Sequence, residues 1–332
     1  MENILLLDTS VGSLNKGDEI IMRCIRKQLS HITKNEFVIS LPTHVSPFHW
    51  YQVIRRSYAV NLYRNAKYKF VCGSNLLTMD MFTRFPQWNI NLFNCEPLKE
   101  SVLVGVGAGK GNQITNYTKK VYNKVLSRRY IHSVRDERTK TFLEAMGFPV
   151  LNTGCATLWS LTPELCKEIP AKKSDSVIFT LTDYSKEPVK DQFMIDILNK
   201  NYNHIYFWIQ GPGDFDYFKT LKHTQNIKIV PPSVDQYEAI LQTDVDYVGT
   251  RLHAGIFAMR HKKRSIIIAI DERARGMNET YKLNTVDRNE LDQLESMINA
   301  DLVTDVNVNF TLVNTWLNQF KTEAEYESVG AQ

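Results

Sequence analysis

The chain has 332 residues, of which 43% are hydrophobic and 23% are charged, a composition that is ordinary for a globular protein and excludes a disordered chain. Its length exceeds what one hydrophobic core usually supports, so two domains are predicted. The formal net charge is only +4 and no long Lys/Arg run is present, which excludes the strongly basic surface of a nucleic-acid-binding protein.

The cysteine pattern and the lack of long apolar runs predict a cytoplasmic protein. The five cysteines include no Cys-x-x-Cys pair and no His-spaced zinc pattern, so we expect buried free thiols, no metal and no cofactor. The apolar run at residues 4–7 is too short for a signal peptide, and no stretch approaches the roughly 20 apolar residues of a membrane span. The mildly basic charge favours a small anionic ligand and suits peripheral association with an anionic membrane surface.

Short apolar runs alternate with amphipathic helical patterns along the whole chain. Strands are predicted in the first half at residues 3–7, 37–40, 69–72, 101–107, 130–134 and 150–153. In the second half they are predicted at residues 177–181, 204–209, 227–230, 246–248 and 265–270. Helices are predicted between the strands, and closing helices at residues 288–299 and about 310–325.

The alternation of strands and helices predicts parallel sheets, and two such units in tandem predict an α/β protein with two Rossmann-like domains facing a central cleft. Residues 162–174 contain two prolines and a charge cluster and are predicted to be the linker. The N-terminal domain then covers residues 1–165, and the C-terminal domain covers residues 175–325.

Polar residues follow several strands of the first half. Asn15 and Asp18 lie in the loop after the first strand and are candidates to contact a substrate hydroxyl, as is Asn75 after the third strand. The structural alternative for Asp18 is the N-cap of the helix that it opens. The fourth strand runs into GVGAGKG, where Lys110 breaks the dinucleotide spacing and the P-loop spacing also fails. Arg135 ends the fifth strand just before a predicted helix, for which Asp136 is a natural N-cap and which Gly147 is predicted to end.

Residues 44–64 are rich in aromatic and basic side chains. Such side chains either stack on sugar rings or fill a hydrophobic core at helical spacing, and the pattern leaves both interpretations open.

The stretch from residue 245 to 276 carries the main candidate site. A buried strand breaks at Gly249 and is followed by Arg251, Leu252 and His253, then by an apolar helix and a second buried strand. A helix N-terminus at a strand end offers backbone N–H groups and a positive dipole, so we interpret this turn as an anion pocket. The alternative is that Arg251 pairs with a structural carboxylate while His253 caps the helix and fills the edge of the core.

Several motifs together resemble the polysaccharide pyruvyl transferase family. They are N-K-G-D-E-I near the start, S-V-R-D-E-R-T from Ser133, T-G-C-A-T-L-W from Thr153 and, most specifically, G-T-R-L-H-A-G-I-F-A from Gly249. The resemblance extends from about residue 3 to residue 285. It implies a GT-B-like fold, as in two-domain glycosyltransferases.

The same resemblance implies transfer of the pyruvyl group of phosphoenolpyruvate onto two hydroxyls of a sugar, which forms a cyclic ketal and releases phosphate. Arg251 and Leu252 would contact phosphoenolpyruvate, His253 would be the acid/base residue, and Arg135 would be the opposing cation. Arg273 and Arg275 are secondary cation candidates. The acceptor would be a sugar, an oligosaccharide or a lipid-linked saccharide, and no pattern specifies an oligomeric state.

Two other functions are compatible with the sequence. A GT-B glycosyltransferase that uses a nucleotide sugar would share the fold, because fold does not decide function. A non-catalytic saccharide-binding protein on the same scaffold would bind sugar without releasing phosphate.

Overall fold

Parallel strands separated by helices run through the chain. The computed structural model describes residues 1–82, 87–109, 111 and 113–320. Its strands are β1 (Asn3–Asp8), β2 (Phe37–Pro42), β3 (Tyr68–Cys72), β4 (Ser101–Val104), β5 (His132–Val134), β6 (Val150–Asn152), β7 (Ser176–Thr180), β8 (His204–Trp208), β9 (Lys228–Val230), β10 (Asp246–Gly249), β11 (Ser265–Ala269) and β12 (Thr285–Asp287). The eleven strands predicted from the sequence are confirmed, each to within three residues at its ends. β12 was not predicted, because its residues, Thr285–Asp287, do not form an apolar run.

The helices between the strands vary from one turn to four. They are α1 (Lys16–Gln28), α2 (Ser30–Thr33), α3 (Trp50–Ile54), α4 (Tyr58–Arg64), α5 (Asn116–Val125), α6 (Glu137–Glu144), α7 (Pro163–Lys167), α8 (Pro188–Asn201), α9 (Asp214–Phe218), α10 (Val234–Leu241), α11 (Leu252–Arg260), α12 (Glu272–Tyr281), α13 (Leu294–Asn299) and α14 (Phe310–Asn318), with 3₁₀ turns at Glu96–Leu98 and Arg288–Gln293. Among the described residues, no helix is long and apolar enough to span a bilayer. All five cysteines are buried, with free thiols.

Contacts divide the chain into two compact units. Unit 1 comprises Met1–Ser13, Ile21–Trp159 and the described residues from Asn309 onward, and unit 2 comprises Leu14–Ile20 and Ser160–Val308. Lys110 and residues 321–325 of the predicted C-terminal domain lie outside the described residues.

Unit 1 contains a four-stranded parallel sheet with the strand order β2-β1-β3-β4 and a two-stranded parallel sheet, β5-β6. The order reverses between β1 and β3, as in flavodoxin-like folds. β4 and β5 are joined by a bridge between Val106 and Val134 and by two side-chain bonds. The backbone N–H of Leu103 donates to Nδ1 of His132 at 3.1 Å, and that of Gly105 donates to the hydroxyl of Ser133 at 2.8 Å.

The tautomer of His132 follows from its two partners. Nδ1 accepts from Leu103, so the proton lies on Nε2, which is 2.8 Å from the carbonyl oxygen of Ser127. The ring is fully buried, and burial lowers the pKa of His132 to about 4. A charged imidazolium would lose the Leu103 bond as well as its hydration.

This burial predicts an acid-sensitive fold. Between pH 6.5 and 4 the unfolded chain binds a proton at His132 that the folded chain does not, so stability falls as pH falls through this window. The expected loss is about 3 kcal/mol in the free energy of unfolding, from roughly 1.4 kcal/mol per pKa unit. Urea unfolding at several pH values would measure it. In His132→Asn this part of the pH dependence should vanish, whereas in His204→Asn, at an exposed site, it should remain. Equal slopes for all three proteins would contradict the assignment.

Unit 2 contains a six-stranded parallel sheet with the order β12-β11-β10-β7-β8-β9. The chain enters this sheet at β7 and adds β8 and β9 on one side of it. It then returns to β7 and adds β10, β11 and β12 on the other side. This is the strand order of a dinucleotide-binding Rossmann fold, and the order reverses between β7 and β10. Ligands of such sheets bind outside the carboxyl ends of the strands at that point.

The two units divide the chain differently from the predicted domains at three segments. Residues 162–174, predicted as a linker, include α7 and pack in unit 2, where the carbonyl of Ala171 accepts from Nε of Arg264 at 3.0 Å. Helix α14, predicted in the second domain, belongs to unit 1, since the indole of Trp316 donates to the carbonyl of Ile131 at 2.7 Å. Leu14–Ile20, predicted in the first domain, belongs to unit 2. Helical periodicity identifies an apolar face but not the sheet that the face covers.

Candidate functional site

The carboxyl ends of β7 and β10 meet closely in unit 2 because Gly249 has no side chain. Gly249 pairs with Thr180, and a Cβ on Gly249 would lie 2.5 Å from the Thr180 hydroxyl and 2.7 Å from its backbone nitrogen. The Thr180 hydroxyl is 2.7 Å from the hydroxyl of Tyr247, which donates to the carbonyl of Arg251 at 2.8 Å. Two neighbouring strand ends thus hold the backbone of Arg251 at the start of α11.

Replacing Gly249 with alanine should therefore destabilise unit 2. The new methyl group would collide with the backbone of Thr180, and overpacking of this kind costs about 1–3 kcal/mol. Gly276 provides the matched control, since it lies within α12 and a Cβ there would meet nothing within 4 Å. Gly276→Ala should stabilise the protein by about 0.5–1 kcal/mol. Urea unfolding measures the change in stability of each variant. Equal changes would contradict the close approach of Gly249 to Thr180.

The guanidinium of Arg251 lies between two carboxylates. Its Nη2 donates to Asp214 at 2.5 Å and to Asp183 at 3.1 Å, and its Nε donates to the carbonyl of Leu181 at 2.9 Å. The ring of Tyr184 lies 5.0 Å from the guanidinium carbon. Arg251 is only 4% exposed. The structure therefore contains the arginine–carboxylate pair that the sequence left open as the alternative to anion binding.

Both oxygens of the Asp214 carboxylate accept hydrogen bonds. Oδ2 accepts from the backbone N–H groups of Gln210 and Gly211, while Oδ1 accepts from the N–H of Asp183 and from Arg251. Burial raises the pKa of Asp214, and the charge of Arg251 and these hydrogen bonds oppose that rise. A Cβ on Gly211 would lie 2.6 Å from Nη2 of Arg251, so glycine is needed for the guanidinium to reach this place.

Asp183 and Asp214 were not identified from the sequence. The signal for Asp214 was the Gly-Pro-Gly turn before it, which follows β8 at the same sheet edge as Arg251. Asp183 follows β7 by three residues and carries no comparable motif.

His253 lies in the first turn of α11, two residues after Arg251, and is 7% exposed. Arg251 occupies the N-cap position of α11 without a side-chain cap bond. Within the described part of the chain, the backbone N–H of Leu252 has no hydrogen-bond acceptor. The turn therefore combines an imidazole, a guanidinium and a donor at the positive end of a nine-residue helix.

Asn15 and Asp18 belong to unit 2. Asn15 accepts from the backbone N–H of Gly17 at 3.0 Å and from Nε2 of Gln210 at 2.8 Å. Helix α1 begins at Lys16, two residues before the predicted start at Asp18, so Asp18 is not the N-cap that the sequence left open as an alternative. Asp18 instead lies buried in the first turn. The Asn15 side chain supplies the capping contact because its oxygen reaches the N–H two residues later.

Arg135 and Asn75 touch each other in unit 1. Nη2 of Arg135 donates to the side-chain oxygen of Asn75 at 2.5 Å, and its Nε lies 3.4 Å from Asp136. Asp136 caps α6 through the N–H of Thr139 at 2.8 Å, as the sequence predicted. A Cβ on Gly107 would lie 2.8 Å from the guanidinium carbon of Arg135. The ends of β3, β4 and β5 therefore bring together two residues predicted for a site.

Arg273 and Arg275 lie at the start of α12 in unit 2, and both have carboxylate partners. Arg275 donates to Asp287 at 2.5 Å and to Glu272 at 2.8 Å, and the Asp287 bond lowers the pKa of that carboxyl. Arg273 lies 3.5 Å from Asp271, the N-cap of α12. These contacts give both arginines a role in anchoring α12.

Comparisons with known proteins bear on the fold and the family. A family model described as polysaccharide pyruvyl transferase matches residues 15–272, and no curated protein matches the chain. A Listeria monocytogenes protein assigned as UDP-N-acetylglucosamine 2-epimerase shares 11% identity over 95% of this chain and 90% of its own, with a TM-score of 0.51. S. aureus MnaA with UDP shares 11% over 96% and 97%, with a TM-score of 0.48. The predicted α/β fold class of the GT-B type, with two Rossmann-like units, is confirmed.

Proposed function

The chain belongs to the polysaccharide pyruvyl transferase family, and from this premise we propose that it moves the pyruvyl group of phosphoenolpyruvate onto two hydroxyls of a sugar. The sugar belongs to a polysaccharide or its precursor, and the products are a cyclic pyruvate ketal and phosphate. The observation that carries the proposal is the sequence Arg251-Leu252-His253 at the start of α11, where the strand order of unit 2 reverses.

Phosphoenolpyruvate carries a carboxylate and a phosphate, which suits the start of α11. The N–H of Leu252 and the helix dipole attract an anion there, and Nη1 of Arg251 donates to no other group in the described part of the chain. In this proposal Nη2 stays on Asp214 and fixes the plane of the guanidinium, while Nη1 meets the donor. Arg251 thus binds as a preorganised cation.

One arginine is not sufficient for this donor. Arg251 carries one positive charge against the two carboxylates of Asp183 and Asp214, so the group has a formal net charge of −1 when both are ionised. The donor adds about three negative charges at neutral pH, and anions of this kind are usually bound by more than one basic side chain. We assign the second cation to Arg135, whose side chain is held by Asn75.

The reaction needs one proton delivered and two removed. Protonation of the methylene carbon makes an oxocarbenium centre at C2, and a sugar hydroxyl adds to it and loses its proton. The C–O bond to phosphate then breaks with its electron pair leaving on phosphate, and the second hydroxyl adds and loses its proton. His253 is the residue assigned to these transfers, because imidazole exchanges protons near neutral pH.

The acceptor is a sugar, an oligosaccharide or a lipid-linked saccharide. Asn75 and Asp18 are the proposed contacts to its hydroxyls, together with Asn15, although the oxygen of Asn15 already serves Gly17 and Gln210. Arg273 and Arg275 are proposed only as secondary cations, since each has a carboxylate partner.

The proposal is tested by incubating the protein with phosphoenolpyruvate and a panel of hexosides. We expect phosphate release that depends on the hexoside, and a proton NMR signal for the methyl group of the ketal. A parallel incubation with nucleotide sugars separates this activity from glycosyl transfer. Release of nucleotide without release of phosphate, or hexoside binding without either, would overturn the proposal.

A further inference from the structure

Unit 1 contains an open cavity of ≈ 630 Å³ between the segment around α3 and residues 91–94. Its walls are mainly apolar and include Phe48, Trp50, Ile54 and Phe93. The sequence left residues 44–64 open between core and ligand binding. Phe48 is buried in the core of unit 1, but other members of the segment face solvent.

The exposed side chains around this cavity are unusually apolar. Trp50 is 63% exposed, Ile54 71%, Tyr58 80% and Phe93 76%. Single exposed apolar residues are common on proteins, but a cluster beside an apolar cavity marks an interaction surface. We call residues 46–58 and 91–94 the aromatic–basic surface.

The charged side chains of this surface are all positive. No Asp or Glu occurs between residues 37 and 79. Arg55 and Arg56 follow α3 directly, both are exposed, and neither forms an ion pair with any described residue. Lys124 adds a further ammonium group, which donates to the carbonyl of Leu92 at 3.1 Å. By contrast Arg64, on α4, is neutralised by Glu96 at 2.7 Å.

The side-chain oxygens of the two asparagines in the cavity wall are already used within the protein. The side chain of Asn94 donates to the Ser46 hydroxyl at 3.1 Å and accepts from the N–H of Asn91 at 2.7 Å. The side-chain oxygen of Asn91 accepts from the N–H groups of Phe93 and Asn94. A saccharide would need such groups for its hydroxyls, so the wall suits an apolar occupant better.

We propose that the aromatic–basic surface binds an anionic phospholipid bilayer. Trp50 and Tyr58 are of the side-chain types that prefer the headgroup region, because one part of each ring system is apolar and the other is polar. Ile54 and Phe93 enter the acyl boundary, and Arg55 and Arg56 bind the lipid phosphates. This interaction does not depend on the proposed pyruvyl transfer and would place the protein at a membrane whatever reaction it catalyses.

The test is sedimentation of the full-length protein with vesicles of phosphatidylcholine alone or of equal parts phosphatidylcholine and phosphatidylglycerol. We expect binding to the anionic vesicles only, and weaker binding as salt rises. Arg55→Glu/Arg56→Glu should weaken the partition at least about tenfold, because each basic residue near such a surface strengthens binding about fivefold and the variant loses two of them. Trp50→Ser/Ile54→Ser should also weaken it at least about tenfold, through lost apolar burial.

Matched variants elsewhere control for charge and hydrophobicity. Lys27→Glu/Lys222→Glu makes the same change in net charge at two exposed lysines, and Val189→Ser/Val303→Ser removes two exposed apolar side chains from unit 2. Both should bind vesicles like the wild type, and all variants should keep its melting temperature. Equal loss in the controls, no vesicle binding by the wild type, or self-association that the Trp50/Ile54 variant abolishes would overturn the proposal.

Discussion

Replacing His253 with alanine is expected to abolish ketal formation while phosphoenolpyruvate binding largely survives. General acid/base catalysis contributes typically about 10² to 10⁴ in rate, so phosphate release should fall by at least that range. Binding should persist because the proposed anion contacts come from Arg251 and from the backbone of Leu252, not from the imidazole. Phosphate release measures the first effect, and isothermal titration with phosphoenolpyruvate measures the second.

A histidine just after the other end of this helix provides the control. His261 follows the last turn of α11, where it lies 3.5 Å from Glu238. His261→Ala should retain activity, because that end of the helix is remote from the strand ends that hold Arg251. Full turnover by a folded His253→Ala protein would remove His253 from the mechanism. A lowered melting temperature together with lost binding would indicate a structural role instead.

The second large effect is expected for Arg251→Ala, which should impair both stability and donor binding. Removing the guanidinium leaves Asp214 buried without its charge partner, and breaking a buried pair in this way costs about 3–5 kcal/mol in the free energy of unfolding. Phosphoenolpyruvate binding should weaken by about 2–4 kcal/mol, as for loss of a desolvated charge partner. Urea unfolding and isothermal titration measure the two effects separately.

Asp214→Asn separates the two roles of Arg251. This change keeps the shape of the side chain but removes one negative charge beside the guanidinium. If Arg251 binds the donor directly, the less negative site should bind phosphoenolpyruvate at least as tightly as the wild type. A purely structural Arg251 is indicated if neither Arg251→Ala, measured below its melting temperature, nor Asp214→Asn changes the affinity.

A double-mutant cycle tests whether Arg135 binds the same donor molecule as Arg251. If both cations bind one donor, the loss of binding free energy in the double variant should differ from the sum of the losses in Arg135→Ala and Arg251→Ala. Strict additivity would argue against a shared ligand.

The sequence predicted the strands because the buried parallel strands of this fold are short apolar runs that can be recognised locally. The same holds for the cap at Asp136 and for the turn at Gly147, whose φ of +78° is the conformation that glycine adopts without strain. The start of α1 was placed wrongly because Asn15 and Asp18 are both of residue types that cap helices and stand close together, and it is the oxygen of Asn15 that accepts from the N–H of Gly17.

The sequence by itself determined the alternation of strands and helices, and it identified Arg251 and His253 as a turn at a strand end. Only the tertiary structure decided what surrounds them. The carboxylates on Arg251 come from residues 68 and 37 positions away, and the side-chain amide that donates to Asn15 comes from a residue 195 positions away. Local periodicity reports which face of an element is apolar, whereas the partner of a buried charge depends on which strands the chain brings together.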